Sequence, residues 1–292
     1  MQEKYTDSLA RNLLDASALS PSQKADRAGR LGNGLVTFLW RRCDNGFDLY
    51  MVLTLVLVDS ALQLVPQQIQ SHPQIKRYAE RRAKGAGEVL LDRAFHNTAM
   101  RKLAKLRYPT PVEKMGRPDI VHNTLLQVLE TPLNWEGHLR VFVHTQDDHV
   151  ITINPKVRLP KNYLRFVGLI EQLFAQKRVP REGELLLGLD KGNLLGLVRK
   201  FEPTKVFGFS TLGKPTLMKA VADQASKLKD PLALIGAFPR GHFAEETKRS
   251  IDETFSVDRE SLDAWVVAGR FVYDCEWALG LTQNRVSPTK SK

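Results

Sequence analysis

The 292-residue chain predicts an α/β fold, a largely parallel β-sheet covered by helices with a β-hairpin added to it. Three observations carry this. Residues 53–58, LTLVLV, are apolar almost throughout and rich in β-branched side chains, as in a strand buried on both faces. The C-terminal half alternates strand-like and helix-like runs, with strands at 205–210 and 232–236 and helices at 215–228 and 262–277. Between these regions, 139–145 and 149–154 are two β-rich runs joined by Gln146, Asp147 and Asp148, the layout of a hairpin.

Taken in order, residues 1–50 read poorly as a domain. Small and polar residues fill 17–34, and the apolar piece 35–40 is short. The segment reads as a poorly structured, dispensable extension, or as a misread start ahead of Met51. The main domain is expected over 51–281. Asp59 and Ser60 open a segment ending at Pro66 that reads as a capped short helix. Helical spacing over 92–107 puts Leu91, Phe95, Ala99, Leu103 and Leu106 on one face, with Arg101, Lys105 and Arg107 elsewhere. Gly116, Arg117, Pro118 and Asp119 open another helix, with Val121, Leu125, Val128 and Leu129 on its apolar side. Pro160 suits a first helical position. From there Phe166, Leu169, Ile170, Leu173 and Phe174 form an inward stripe, leaving Lys161 and Arg165, four apart, on the other side. The tail from 282 to 292 reads as basic and disordered.

With 42% hydrophobic residues the chain can bury a sizeable core. Its net charge of +11 is localised. Twelve basic against four acidic residues lie between Lys76 and Arg117, and four basic residues with no acid between Lys156 and Arg165. Such clusters suit a polyanion, the alternative being a solvated face. Cys43 and Cys275 are too few for a disulfide framework, and no Cys/His spacing resembles a metal site. The apolar run 52–65 is interrupted by Asp59 and is too short to span a bilayer, and the first 50 residues lack the layout of a cleaved signal. The expectation is a soluble, intracellular protein with no membrane partner.

Dinucleotide, P-loop and hydrolase motifs are absent, and the seven histidines share no spacing, so none is assigned to catalysis. Three segments carry chemistry. Asp119 can accept backbone N–H groups at its helix start or hold the Arg117 guanidinium by paired hydrogen bonds. Arg158, Lys161 and Arg165 suit phosphates spaced along an RNA strand. Gly236 and Gly241 flank a turn at the carboxyl end of a strand, where open α/β sheets bind ligands.

Together and in this order, the segments GRPDIVHNTLLQVLETPLN (116–134), INPKVRLPKNYLRF (153–166), DSALQLVP (59–66) and IGAFPRG (235–241) resemble the small-subunit rRNA pseudouridine-N1-methyltransferases, the archaeal branch in particular. The resemblance runs from about residue 51 to 281. It implies the SPOUT class, an α/β domain whose C-terminal part threads into a trefoil knot that holds S-adenosylmethionine. It further implies a homodimer that methylates N1 of a pseudouridine in a hairpin loop of small-subunit rRNA, with no metal. Ribosome biogenesis, alongside other assembly factors, would be the setting, in the cytoplasm or, in a eukaryote, the nucleolus.

Carried over residue by residue, the resemblance implies RNA contact by Arg117, steadied by Asp119, and by Arg158, Lys161 and Arg165. Lys161 departs from the family's usual arginine and loses the planar fork that grips phosphate in two places. The implied cofactor pocket is lined by Phe209, Ser210, Gly236, Gly241, His242 and Phe243, and by the loop Val257, Asp258, Arg259, Glu260, Ser261 and Leu262. The basic stretch 77–87 matches nothing in the family and reads as a flexible surface insertion, with a lengthened RNA surface as the alternative. No dedicated general base is evident; Asp119 is a candidate but reads better as the group that orients Arg117. Two alternatives stay open: an rRNA-binding assembly factor without catalysis, and a knotted methyltransferase acting on another base.

Overall fold

The computed structural model describes residues 51–106 and 108–287. The extension 1–50, Cys43, Arg107 and the last residues, 288–292, lie outside the described residues.

The sheet has eight strands in the order β4-β5-β3-β2-β1-β7-β6-β8. Here β1 is Leu53–Ser60, β2 Leu139–Thr145, β3 His149–Ile153, β4 Arg178–Val179, β5 Leu187–Lys191, β6 Lys205–Pro215, β7 Pro231–Gly236 and β8 Glu253–Ser256. β2, β1, β7, β6 and β8 run parallel, while β3, β5 and β4 add antiparallel pairs at the other edge. The expected hairpin β2–β3 is therefore the start of a three-stranded antiparallel flank. Its outer strands escape sequence reading because LGLDK and a two-residue strand show no sustained alternation.

Every residue of β1 is buried. Leu53, Leu55 and Leu57 enter one apolar cluster with helices Pro118–Leu129 (α4), Pro132–Trp135 (α5), Tyr163–Gln176 (α6), Met218–Ala225 (α8) and Ala264–Ala278 (α10). Val56 and Val58 enter another, on the opposite face, with helix Leu194–Phe201 (α7). Period-2 alternation splits the strand's side chains between two covered faces, which is why it reads as continuously apolar.

Residues 61–66 form no helix. Asp59 sits at φ +50, and the chain then runs extended, with Val65 N–H on the Val89 carbonyl at 3.0 Å and Leu91 N–H on that of Gln63 at 2.8 Å. Pro66 precedes a helix, Gln67–Gln70 (α1), instead of stopping one. The basic stretch is not a flexible insertion either. Pro73–Arg81 is a helix (α2) packed on helix Arg93–Lys105 (α3), and the side chain of Glu171, wholly buried on α6, accepts from Arg82 (2.8 Å), Lys84 (2.6 Å) and the Leu90 N–H (3.0 Å). Of the expected inward face of α3, Leu91, Ala99 and Leu103 are buried, Phe95 and Leu106 are exposed, and His96 and Met100 join the buried set. Asn162, not Pro160, starts α6, its Oδ1 accepting the Arg165 N–H, so Lys161 stands ahead of the helix. The tail expected to be disordered begins with a helix, Leu281–Val286 (α11). Gly280 at φ +70 restarts the chain there, and Arg285 pairs with Glu136 and lies over Trp135.

At the start of α3, the Asp92 carboxylate caps Ala94 N–H and accepts the Tyr163 hydroxyl, while the Asp92 N–H donates to His96 Nδ1 at 3.0 Å. Burial pushes the His96 pKa down to about 4. Because this lies below the unfolded value near 6.5, the unfolded chain binds the extra proton. The stabilisation from neutral His96 is therefore full above about pH 6.5 and lost as pH falls towards 4. We expect urea unfolding to give a wild-type stability loss between pH 7 and pH 5 larger by about 2 kcal/mol than that of a His96→Phe variant. Equal losses would refute this assignment.

Candidate active site

A cleft of about 340 Å³ opens at the carboxyl edge of β6 and β7, within the roughly 300–1,000 Å³ usual for small-ligand sites. Its walls come from four places. β6 supplies Phe209, Ser210 and Thr211, and β7 supplies Ile235 and Gly236. The following loop supplies residues 238–243, and the start of α10 supplies Ser261, Leu262, Asp263, Ala264 and Val267. The start of α4 supplies Arg117 and Ile120.

Local geometry explains why these residues reach the cleft. Phe209 and Lys214 of β6 both pair with Phe255, so 210–213 bulge out of the ladder and present Ser210 and Thr211. A Cβ at Gly236 would come within 2.6 Å of the Phe238 ring, so glycine lets the loop fold back over the strand end. Gly241 takes φ +93, a conformation open to glycine. The loop is fixed at its far side by Asp59, whose carboxylate accepts the Ala244 N–H (2.7 Å) and the Thr247 hydroxyl (2.8 Å) at the start of helix Glu245–Arg249 (α9).

Of the expected cofactor residues, Phe209, Ser210, Gly236, Gly241, His242, Phe243, Ser261 and Leu262 line this cleft. Val257, Asp258, Arg259 and Glu260 do not; Asp258 instead turns the loop, accepting the Glu260 N–H and standing 3.9 Å from Arg270. Sequence reading missed Thr211, Asp263 and the cleft-facing position of Arg117. Asp263 precedes α10, yet its side chain makes no cap hydrogen bond there.

Arg117 and Asp119 are joined by two hydrogen bonds, Nε to Oδ1 at 2.8 Å and Nη2 to Oδ2 at 2.7 Å. The carboxylate thus serves the guanidinium; it does not cap the helix. Hydrogen bonding to Asp119 raises the Arg117 pKa further above its ordinary value. Both side chains are about one-third exposed, so the pair faces solvent at the cleft's rim.

Arg158, Lys161 and Arg165 are all exposed. Lys161 lies 3.8 Å from Glu130, a long surface pair; among the described residues Arg158 and Arg165 have no acidic partner. His122 of α4 ties this cationic loop to the helix that Arg117 opens. Its Nε2 donates to the Pro160 carbonyl at 2.7 Å and its ring stacks on Phe166 at 4.3 Å. Burial lowers the His122 pKa, which suits a neutral, positioning imidazole. Among the described residues no group of three His, Cys, Asp or Glu is placed to hold a metal, and no helix is long and apolar enough to cross a membrane.

The arrangement is that of an α/β ligand-binding enzyme, with a glycine-framed cleft at the carboxyl edge of parallel strands and fixed cations at its rim. Comparison with known proteins makes the class specific. Residues 55–276 match the EMG1/NEP1 methyltransferase family, and the chain belongs to that family. It is 39% identical over 225 residues to the ribosomal RNA small subunit methyltransferase Nep1 of Pyrococcus furiosus, covering 77% of this chain and 96% of the relative. Identity to the Nep1 of Thermococcus kodakarensis is 40% over 231 residues, 79% of this chain and all of the relative. The crystal structure of Archaeoglobus fulgidus Nep1 bound to S-adenosylhomocysteine superposes with a TM-score of 0.67 at 34% identity, covering 79% of this chain and 99% of that one.

Asp59→Ala strands the Ala244 N–H and the Thr247 hydroxyl, at an expected cost of about 1–3 kcal/mol. Asp59→Asn keeps one acceptor and tolerates positive φ, so it should cost less. Urea unfolding of both variants checks the order; an alanine variant as stable as wild type would remove Asp59 from this role.

Proposed function

We propose that this chain is an S-adenosylmethionine-dependent methyltransferase that methylates N1 of a pseudouridine in a hairpin loop of small-subunit rRNA. The observation that carries the reading is the double placement of Arg117, which lines the cleft and opens the helix whose His122 holds the Arg158–Arg165 segment. A base delivered by those cations arrives at the cleft.

The residues present fit the cofactor. A Cβ on Gly236 would run into the Phe238 and Phe243 rings of the cleft wall, Phe209 and Phe243 offer apolar surface, and Asp263 offers negative charge to a cationic ligand. When bound, S-adenosylmethionine supplies an electrophilic methyl group. The chain's own task is placement, which can account for roughly 7–11 kcal/mol of a barrier. Taking a nucleotide out of its stack costs a few kcal/mol, least in a loop, and contacts to Arg117, Arg158, Lys161 and Arg165 would offset it. Both Asp119 oxygens accept from Arg117, which supports the carboxylate as the group that orients that guanidinium over the base that takes the N1 proton.

The same reading includes trefoil threading of the C-terminal part. It also includes a homodimer. Leu212 and Leu217 are 69% and 79% exposed, and Tyr273 and Trp277 form an exposed pair on α10, against which α8 packs. Action within small-subunit biogenesis, with other assembly factors, in the cytoplasm or a eukaryotic nucleolus, completes the proposal.

Transfer of labelled methyl groups to a pseudouridine-bearing hairpin, and not to its uridine twin, is the decisive assay; no transfer would favour a binding-only assembly factor. Asp119→Asn should weaken hairpin binding by about tenfold, the scale of one charge-assisted hydrogen bond, while single-turnover methylation at saturating RNA changes little. The opposite split would return the base role to Asp119. Sedimentation should give a dimer mass for the wild type and a monomer mass for Leu217→Glu; a wild-type monomer would end that part of the reading.

A further inference from the structure

Lys114 belongs neither to the cations expected to meet RNA nor to the residues lining the cleft, yet it touches the cleft's loop. It closes a 3-10 turn, Val112–Lys114, three residues before Arg117. Its Nζ donates to the His242 carbonyl and stands 4.8 Å from the centre of the Phe238 ring, so it spans both ends of the loop's exposed part. A Cβ on Gly241 would lie 3.1 Å from Lys114 Cε, so the stem also runs against the loop's turn.

The backbone behind this side chain is fixed. Gln146 Nε2 donates to the Lys114 carbonyl at 2.8 Å and to the Asp59 carbonyl at 3.0 Å. Arg93 N–H binds the Gly116 carbonyl at 2.9 Å, and Arg117 N–H binds that of Ala61 at 3.1 Å. One short segment, anchored by three hydrogen bonds, therefore carries a side chain gripping the cleft loop and, three residues on, the guanidinium at the cleft's rim.

We propose that Lys114 is a positioning residue that latches the 237–243 loop and couples cofactor binding to RNA binding. This rests on the functional reading above. RNA held at Arg117 steadies the segment from which Lys114 reaches the loop, and a ligand under the loop steadies the carbonyl that Lys114 grips. By linkage, each then raises the other's affinity by the same factor.

Calorimetry on the full chain with S-adenosylhomocysteine, with and without a pseudouridine hairpin, tests this. In the wild type the hairpin should tighten S-adenosylhomocysteine binding by about fivefold or more. Lys114→Met should weaken that binding by about tenfold and abolish the hairpin's effect, with cofactor-free hairpin affinity within about twofold of wild type. Lys114→Arg, which keeps the cation and the donor, should restore both. A general loss of structure would instead lower the thermal midpoint and weaken hairpin binding in Lys114→Met, and Lys114→Gln, a milder change, would then behave as wild type; that pattern overturns the latch. So does a Lys114→Met variant that binds the cofactor analogue normally and still responds to RNA. A wild type that ignores S-adenosylhomocysteine overturns the functional reading itself.

Discussion

Ala61, just past the end of β1, donates its N–H to the Ala237 carbonyl at 2.9 Å and accepts from the Arg117 N–H at 3.1 Å. Two residues earlier the Asp59 carboxylate holds the start of α9, and its backbone carbonyl receives Gln146. Four segments distant in sequence thus converge on three residues: the cleft loop, the helix after it, the start of α4 and the hairpin turn. Buried backbone groups must be paired, so none of these segments can move alone without stranding a donor or acceptor. The positive φ of Asp59 is the local cost of turning the strand sharply enough to serve all of them.

This hub explains why the cationic rim and the cleft hold a fixed relation even though they come from opposite ends of the domain. It also changes how the basic composition is understood. Of the positive charges between Lys76 and Arg117, Arg82 and Lys84 are spent on buried Glu171, Arg93 on the Val112 carbonyl, Lys114 on His242 and Arg117 on Asp119. Part of that positive charge, Arg82, Lys84 and Arg93, is internal scaffolding, while Lys76, Arg77, Arg81, Arg101, Lys102 and Lys105 stay exposed. The cations left in solvent without an acidic partner among the described residues include Arg158 and Arg165, on a loop whose position His122 sets.

Sequence reading succeeded where the cause was local. A continuously apolar, β-branched run marked β1, the i, i+2 spacing at a helix start allowed the Arg117–Asp119 fork, and two glycines at the end of an apolar strand marked the cleft loop. It failed where the partner was remote. Asp59 looked like the cap of the residues after it, but it caps residues 185 and 188 positions away. Arg82 and Lys84 looked like solvated charge because Glu171 lies nearly 90 positions on. Pro160 was read as a helix start because proline tolerates that position, whereas Asn162 supplies an actual acceptor for a free N–H. Val257 to Glu260 were placed at the cofactor pocket by the family resemblance; here Ser261 and Leu262 of that loop line the cleft, and Asp258 accepts the Glu260 N–H.

The division of labour among the carboxylates follows from the same geometry. Asp59 is committed to a helix start, Asp92 to Ala94 and Tyr163, Asp119 to Arg117 with both oxygens, and Glu171 to two cations and a backbone N–H. Asp263 lines the cleft without a cap hydrogen bond from its side chain at the start of α10, and its charge bears on the Arg117 guanidinium. A site built this way spends its carboxylates on orientation and leaves proton transfer without a dedicated, pre-bonded acceptor. That suits a reaction in which the incoming ligand brings the electrophile and the protein's contribution is to fix where the accepting base sits.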